Sequence, residues 1–254
     1  MRILVFLALL IFMPSLFACD ESEAKVLLSK LEWITEDYPP YNFKNESGQL
    51  VGIFPEVLTL IYEGLGIDRD VKSIQILPWS RLLMYMEYYP NYAAFSMVTT
   101  PKRADRYKLV SLPIKAKISI LALRSNIEEL KSKQLDELTV AVVRGDIGQS
   151  LLYSQRIPVK QVDTVSAASM LNMLIYKRVD AIAYSENVAY YQFKKLGGNR
   201  DNFTSVLSLD DNSKINFVFN KVTSQCAVNM FIQELAKLQQ NGKIKPIWNK
   251  YIQE

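Results

Sequence analysis

The sequence contains no histidine. Without an imidazole the chain cannot form a Ser-His-Asp triad, a Cys-His pair or a histidine-based zinc site. Cysteine is also rare, with only two residues, Cys19 and Cys226, and Cys226 stands alone in a helical pattern that cannot build a metal site. We therefore predict no metal and no cofactor. We also predict no enzymatic activity, because nothing in the sequence marks a paired acid and base with opposed environments. Any catalysis would depend on carboxylates, lysine or tyrosine.

Long apolar runs are missing after the start of the chain, because none approaches the length of about 18 residues that a membrane span requires. The start itself, residues 1–18, combines one positive charge at Arg2, an apolar run and the small Ala18 at its end. This pattern is typical of a secretory signal peptide, since its apolar part is too short for a membrane helix. We predict a signal peptide at residues 1–18 and a periplasmic mature protein.

Neither sign of charge is in large excess. The chain has 30 basic and 26 acidic residues, and removal of residues 1–18 takes away only Arg2, which leaves 29 against 26, a net charge of +3. Such a balance by itself argues neither for nor against nucleic acid. Because we find no clustered basic stretch, we predict no nucleic-acid partner. We also predict that the protein is a monomer.

The two cysteines leave two alternatives open. The sequence Leu16-Phe17-Ala18-Cys19 approximates a lipobox, which would make Cys19 a lipidated anchor, although the bulky Phe17 departs from the usual small residue. The alternative is cleavage near Ala18 and a disulfide between Cys19 and Cys226, which an oxidising periplasm permits. We favour the disulfide, because an odd cysteine in an exported protein needs its own explanation.

Strands alternate with helices along the chain, which predicts an α/β fold with mainly parallel sheets. A strand at residues 180–187 runs into a serine-capped helix, and residues 126–138 are predicted to be helical. The other predicted strands are at residues 31–34, 71–77, 92–98, 118–123, 139–143, 159–162, 206–209 and 215–219.

One strand and the turn after it form the most informative stretch. The strand at residues 92–98 ends in hydroxyl residues, and Pro101 then begins a helical turn that carries Arg103. Proline is favoured at the first position of a helix, and Ser96 and Thr100 can cap the turn. Arg103 adds a fork of donors that matches a carboxylate. Taken alone, the stretch is equally consistent with a surface arginine after an ordinary turn.

This stretch resembles the signature of the family 3 periplasmic solute-binding proteins, a strand followed by Ser/Thr-x-Thr-x-x-Arg. The resemblance implies that Arg103 holds the α-carboxylate of a ligand and that the strand end from Ser96 to Thr100 lines the site. Val98 stands where the family has a hydroxyl residue, so one usual contact is altered.

The resemblance extends over nearly the whole mature chain, from an aromatic-Pro-Pro-aromatic loop near the start to a closing pair of helices. It implies a two-lobe, type II periplasmic binding protein fold with a hinge between the lobes. Two crossovers, near residues 112–123 and 213–220, predict a first lobe of residues 26–115 plus 218–254 and an inserted second lobe of residues 116–217.

The resemblance also places residues of the first lobe at the cleft. Tyr38 would lie there, and Trp79, at the end of a predicted strand, could stack on a ligand; the alternative for both is plain packing. Arg81 either binds an acid group of the ligand or braces the Glu87 side of its own helix.

From the second lobe the resemblance suggests Gly145, Asp146 and Glu186. The family usually has Gly-Thr/Ser-Thr where this chain has Gly145-Asp146-Ile147, and a negative charge there would favour an amine or hydroxyl over a second acid. The family's aspartate for the ligand ammonium is replaced by Ser185, with Glu186 one step later. Asp146 could instead be a helix N-cap, and Glu186 a partner of the helix dipole.

The sequence thus predicts a periplasmic receptor that captures a small polar ligand, an amino acid or related carboxylate, for an inner-membrane ABC permease. One alternative is a cyclohexadienyl dehydratase-like enzyme on the same scaffold, with Asp146 or Glu186 as acid or base. Another is an orphan binding protein that feeds a membrane sensor.

Overall fold

The computed structural model describes residues 20–252. The predicted signal peptide and both predictions for Cys19 lie outside the described residues. The strands are β1 (Glu32–Thr35), β2 (Phe43–Lys44), β3 (Leu50–Val51), β4 (Gln75–Ile76), β5 (Tyr92–Val98), β6 (Tyr107–Leu123), β7 (Thr139–Val143), β8 (Lys160–Thr164), β9 (Ala181–Ser185) and β10 (Phe203–Asn220). The helices are α1 (Glu21–Ser29), α2 (Ile53–Leu65), α3 (Trp79–Tyr88), α4 (Pro101–Arg106), α5 (Ile127–Lys131), α6 (Ile147–Ser154), α7 (Ala167–Ile175), α8 (Glu186–Lys195), α9 (Gln225–Gln240) and α10 (Ile244–Tyr251).

Eight of these strands form one sheet in the order β4-β1-β5-β10-β6-β9-β7-β8. The pairs at both ends are parallel, β1 with β4 and β5, and β7 with β8 and β9. The middle is antiparallel, because β10 pairs with both β5 and β6, and β6 pairs with β9. The α/β fold class predicted from the sequence is confirmed.

The two long middle strands connect two lobes. β10 pairs with β5 only through its C-terminal part, Ile215–Phe219, and β6 pairs with β9 only through Ile118–Leu121. Each long strand therefore belongs to one lobe at one end and to the other lobe at the other end, as the two-lobe prediction requires. The exact lobe boundaries stay a prediction. The two late strands predicted at 206–209 and 215–219 are one continuous strand, β10, with several shifts of register.

Two other predicted elements are shorter than expected. In the predicted strand 71–77 only Gln75–Ile76 is a strand, because the Asp70 carboxylate accepts a hydrogen bond from the Lys72 backbone N–H at 3.0 Å and caps a short 3₁₀ turn. Local side-chain bonds of this kind compete with a strand. The predicted helix 126–138 stops at Lys131, and the Ser132 hydroxyl after it donates to the Glu129 carbonyl at 2.6 Å.

An aromatic cluster holds the first lobe together. The Trp33 ring packs against Phe95, Phe217 and Phe231 at centroid distances of 5.9, 5.9 and 6.0 Å. Its indole N–H donates to the Tyr62 hydroxyl at 2.6 Å, so the polar end of this buried ring is satisfied. These contacts fix β1 and β5 against α2 and α9. The C-terminal ends of β1 and β5 are therefore rigid supports for the residues that follow them.

The start of the described chain lies beside α9. The Cys226 sulfur, in the first turn of α9, is 3.8 Å from the Asp20 backbone oxygen. The Asp20 carboxylate caps α1 by accepting hydrogen bonds from the Ser22 and Glu23 backbone. The predicted disulfide between Cys19 and Cys226 stays a prediction, because Cys19 lies outside the described residues.

Gly148 allows α6 to lie directly on β9. A Cβ atom at this position would be 1.9 Å from the Ala183 carbonyl oxygen, and backbone cannot move aside as the end of a side chain can. We expect Gly148→Ala to lower the free energy of unfolding by about 1–3 kcal/mol, the usual cost of overpacking. Urea denaturation should show this loss, whereas Ser154→Ala, on the exposed side of α6, should stay within about 0.5 kcal/mol of the wild type. Equal midpoints for the two variants would contradict the close contact.

Candidate ligand site between the lobes

A group of buried side chains lies where several sheet strands end, and we call it the interlobe cluster. In open α/β sheets, ligands bind outside the carboxyl ends of the strands, because the loops from different strands converge there. The first lobe contributes residues after β1, β4 and β5, and the second lobe contributes residues after β7 and at the end of β9. The interlobe cluster consists of Glu36, Tyr38, Trp79, Arg103, Asp146, Tyr184 and Ser185.

Arg103 is the cationic residue of the interlobe cluster and is only 7% exposed. Its Nη1 donates to the Val98 carbonyl at 2.8 Å, and its Nη2 donates to the Gly145 carbonyl of the second lobe at 3.2 Å. The Thr100 hydroxyl caps α4 by accepting the Arg103 backbone N–H at 3.2 Å. An arginine has five N–H donors, so these bonds orient the guanidinium and leave further donors for a ligand.

Ser96 forms a bulge in β5, the strand that precedes Arg103 in the chain. Phe95 and Met97 pair with adjacent residues of β10, which leaves Ser96 as an extra residue, and its φ is 66°. Such a conformation costs a residue other than glycine about 1–3 kcal/mol and persists only where its surroundings hold it. The Ser96 hydroxyl is held by the Asn42 side chain, whose Nδ2 also donates to the Glu36 carbonyl at 2.6 Å. Ser96 thus supports the segment that carries Glu36.

Aromatic rings form the walls. The Arg103 guanidinium carbon lies 4.9 Å from the centroid of the Trp79 ring, a cation–π contact. A Cβ atom on Gly145 would be 3.7 Å from the Trp79 indole nitrogen, so Gly145, with a φ of +75°, passes close to this ring. Tyr38 stacks on Tyr41 at 5.6 Å and meets the Tyr184 ring edge-on at 5.7 Å.

Two buried carboxyl groups face this one arginine. Burial raises the pKa of Glu36 well above its usual range, the charge of Asp146 raises it further, and Arg103 opposes the rise. Burial also raises the pKa of Asp146, and the Arg103 guanidinium partly offsets this effect. Two negative charges beside one positive charge in a dry site favour the protonated form of one carboxyl.

Glu36 was missed by the sequence analysis. The signal that could have found it is its position, one residue after the end of β1 and directly before the loop that carries Tyr38. Its backbone carbonyl is tied down by Asn42, and its side chain is only 9% exposed.

Four buried polar atoms of the interlobe cluster lack a hydrogen-bond partner within the described residues: the Tyr38 hydroxyl, the Trp79 Nε1, one Asp146 carboxylate oxygen and the Ser185 hydroxyl. The hydroxyls of Tyr38 and Ser185 face each other without normal hydrogen-bond geometry. Only one other side-chain atom between residues 20 and 252, the Thr223 hydroxyl, is in this state. Buried polar groups are nearly always paired, so this group of unpaired atoms indicates a site where another molecule supplies the hydrogen-bond partners.

Some predicted site residues lie elsewhere or have other partners. Arg81 is exposed on α3, and Glu87 pairs with Arg106 at 3.6 Å, so the suggested brace between Arg81 and Glu87 is wrong. Glu186 is buried, but it accepts a hydrogen bond from Ser119 at 2.6 Å and pairs with Lys117 at 3.3 Å. A ligand role for Arg81 and for Glu186 stays a prediction.

The predicted helix cap at Asp146 is only partly right. Asp146 occupies the N-cap position of α6 with extended backbone angles, but its side chain makes no capping hydrogen bond within the described chain. An N-cap carboxylate normally accepts an N–H of the first turn. One Asp146 carboxylate oxygen is left unpaired, while a hydrogen bond with the Ile147 backbone lowers the pKa of Asp146 against the larger rise from burial.

A comparison with protein families matches residues 33–254 to the bacterial extracellular solute-binding proteins, family 3. The chain belongs to this family. The resemblance seen in the sequence is therefore confirmed, and so is the type II, two-lobe fold that it implied. A search of curated protein sequences found no match.

Solved structures similar to this family 3 protein differ in function. An amino acid ABC transporter substrate-binding protein from Streptococcus pneumoniae, bound to L-arginine, is 20% identical with a TM-score of 0.72, over 91% of this chain and 97% of that one. A histidine kinase sensor domain is 19% identical with a TM-score of 0.72, over 88% and 96%. AncCDT-1, an ancestral amino acid-binding protein and a precursor of cyclohexadienyl dehydratase, is 19% identical with a TM-score of 0.72, over 92% and 99%. At these identities the similarity shows the fold alone.

The described part of this family 3 protein contains neither a helix that could span a membrane nor a cluster of side chains that could hold a metal ion. Between residues 20 and 252, no helix is both long and apolar enough to cross a membrane. In the same range, no three acidic, cysteine or histidine side chains are grouped so that they could hold a metal ion.

Proposed function

We propose that this protein is a periplasmic receptor that captures a small amino-acid-like ligand between its lobes and delivers it to an inner-membrane ABC permease. The observation that carries the proposal is the set of unpaired polar atoms around Arg103 in the interlobe cluster. A ligand with polar groups on several sides would supply the missing partners of both lobes at once.

The charges of the interlobe cluster favour a ligand that carries both a carboxylate and an amino group. The free donors of Arg103 match a carboxylate. Asp146 and Glu36 disfavour a second acid group and would pair with an ammonium group. The hydroxyls of Tyr38 and Ser185 can donate or accept, so they would bind the remaining polar atoms.

The contacts between the lobes explain how a ligand would hold them closed. Arg103 of the first lobe already donates to the Gly145 carbonyl of the second, and the Asn187 side chain donates to the Tyr41 hydroxyl at 3.4 Å. A ligand that contacts both sides would add to these contacts and so to the free energy that holds the lobes closed. Rotation about β6 and β10, the two strands that cross between the lobes, is the expected hinge motion.

The similar structures guide the choice of ligands and partners to test. L-arginine is bound to one similar structure, so it is the first candidate among amino acids with a second cationic group. A sensor domain shares the fold, so the partner could be a membrane sensor in place of a permease.

Thermal melting of the purified protein with a panel of amino acids, organic acids and amines tests this proposal. A true ligand at 100 times its dissociation constant adds about 2.7 kcal/mol to the free energy of unfolding, which is a shift of several degrees for a chain of this size. We expect cationic amino acids to raise the melting temperature and dicarboxylates to leave it unchanged. A panel in which only dicarboxylates stabilise the protein would contradict the assignment of Asp146 and Glu36.

One observation favours a second candidate function, an enzyme related to cyclohexadienyl dehydratase. Glu36, whose pKa is raised well above its usual range, faces Asp146 and Arg103, and a protonated carboxyl beside a carboxylate can act as a general acid. AncCDT-1 shares the fold. Turnover of prephenate or arogenate that Glu36→Gln abolishes would support this candidate, and binding without turnover would support the receptor.

A further inference from the structure

A cavity of about 900 Å³ opens on the surface between the two lobes. Its first-lobe walls are β2 with the turn after it and the end of α10, and its second-lobe wall is α8 with the turn after it. It shares no lining residue with the interlobe cluster. We call this cavity the basic groove, because its lining includes the cations Lys44, Lys194, Lys195, Arg200 and Lys250.

The positive charge of the basic groove is only partly neutralised. The lining contains one acidic residue, Glu46, and Lys250 is paired at 2.5 Å with Glu56, which lies outside the lining. Lys44 and Lys194 are exposed, and neither makes an ion pair within the described part of the chain. The groove therefore presents free ammonium groups from both lobes, which attract anions.

The floor of the basic groove is aromatic. The Phe43 ring lies 5.2 Å from the Tyr191 ring and 6.1 Å from the Tyr251 ring, and all three side chains are half-buried. On the second-lobe side, the Arg200 guanidinium lies 4.8 Å from the centroid of the Tyr190 ring. Half-buried rings leave part of their surface open, and a flat ligand ring can stack there.

We propose that the basic groove is a second binding site, for a small molecule that joins a flat ring to two or more anionic groups. The aromatic floor would take the ring, and the free lysines of both walls would take the anionic groups. The volume lies within the range of about 300–1,000 Å³ that is usual for small-molecule sites. This site is independent of the ligand assigned to the interlobe cluster.

Calorimetric titration with ADP tests the site, because ADP joins a flat base to a diphosphate. We expect ADP to bind. Adenosine, which lacks the diphosphate, and pyrophosphate, which lacks the base, should each bind at least about tenfold more weakly than ADP. Raising the salt concentration should weaken ADP binding. No heat with ADP at millimolar concentration, or pyrophosphate binding as tight as ADP binding, would overturn the proposal.

Variants locate the binding in the basic groove. The double variant Lys44→Glu, Lys194→Glu should weaken ADP binding about 100-fold, because two charge-assisted contacts become repulsive. The matched control Lys25→Glu, Lys72→Glu makes the same change in net charge at exposed lysines outside the groove and should bind ADP as the wild type does. Tyr191→Leu should weaken ADP but not pyrophosphate. If ADP binding survives in the first double variant and disappears in Arg103→Ala, the anion binds in the interlobe cluster and the proposal is wrong.

Discussion

Arg103→Ala is expected to abolish ligand binding. A ligand carboxylate buried between the lobes would lose its cationic partner, and removal of one member of a buried charge pair costs about 3–5 kcal/mol. This cost corresponds to a loss of affinity of more than about 100-fold. Calorimetry with the ligand found by the melting panel would measure it, after circular dichroism has shown that the variant is folded.

Two further variants separate the role of Arg103 from a general effect of charge. Arg106→Ala removes a half-exposed arginine from the same helix, α4, and should leave the affinity unchanged. Arg103→Lys keeps the charge but loses the fork of donors that holds Val98 and Gly145, so its affinity should lie between those of the wild type and Arg103→Ala. If the ligand still binds normally to Arg103→Ala, the carboxylate contact is wrong although the fold is right.

Glu36→Gln is expected to make the ligand-free protein more stable at neutral pH. The pKa of Glu36 is raised well above its ordinary value of 4.5 in the folded protein. As the pH rises above 4.5, the unfolded chain releases this proton first, so the wild type loses stability until the pH passes the raised pKa. At a pH above both the folded and the unfolded pKa, each unit of difference between them lowers the free energy of unfolding by about 1.4 kcal/mol. Glutamine keeps the shape and cannot ionise, so this loss disappears.

Thermal melting between pH 4 and pH 8 tests the titration of Glu36. The wild type and Glu36→Gln should melt at similar temperatures at pH 4, and the variant should melt several degrees higher at pH 8, since 1 kcal/mol shifts the midpoint of a chain of this size by about 2–4 °C. Glu63→Gln, an exposed change on α2, should follow the wild type. A Glu36→Gln variant that melts lower than the wild type at pH 8 would show that Glu36 is ionised and paired in the folded state.

Much of the local structure was predictable from the sequence. The predicted strands at 92–98 and 139–143 coincide with β5 and β7, because buried strands of a mostly parallel sheet appear as short, continuous apolar runs between turn residues. The helix that begins at Pro101 and carries Arg103 also follows from local rules of capping. The resemblance of this stretch to a known family added the two-lobe fold.

The composition of the interlobe cluster was only partly predictable. Arg103, Trp79 and Tyr38 were expected at the cleft, but Glu36 was not, although it is one of the two buried carboxyl groups that act on Arg103. Glu186 was expected at the cleft, and its partners in the structure are Ser119 and Lys117, so its ligand role stays a prediction. Which carboxylate faces the arginine depends on how the strand ends converge, and no local pattern contains that information.

The sequence by itself determined the alternation of strands and helices, because periodicity, capping and turn chemistry act over a few neighbouring residues. The family was indicated by a resemblance of motifs. Only the tertiary structure decided that Glu36, Arg103 and Asp146 share one dry site, and that Lys44 and Lys194 face one groove although they are far apart in the chain. The physical reason is that desolvation and Coulomb interactions depend on distance in space. Packing of the two lobes sets that distance, and with it the pKa of Glu36 and the free charge of the basic groove.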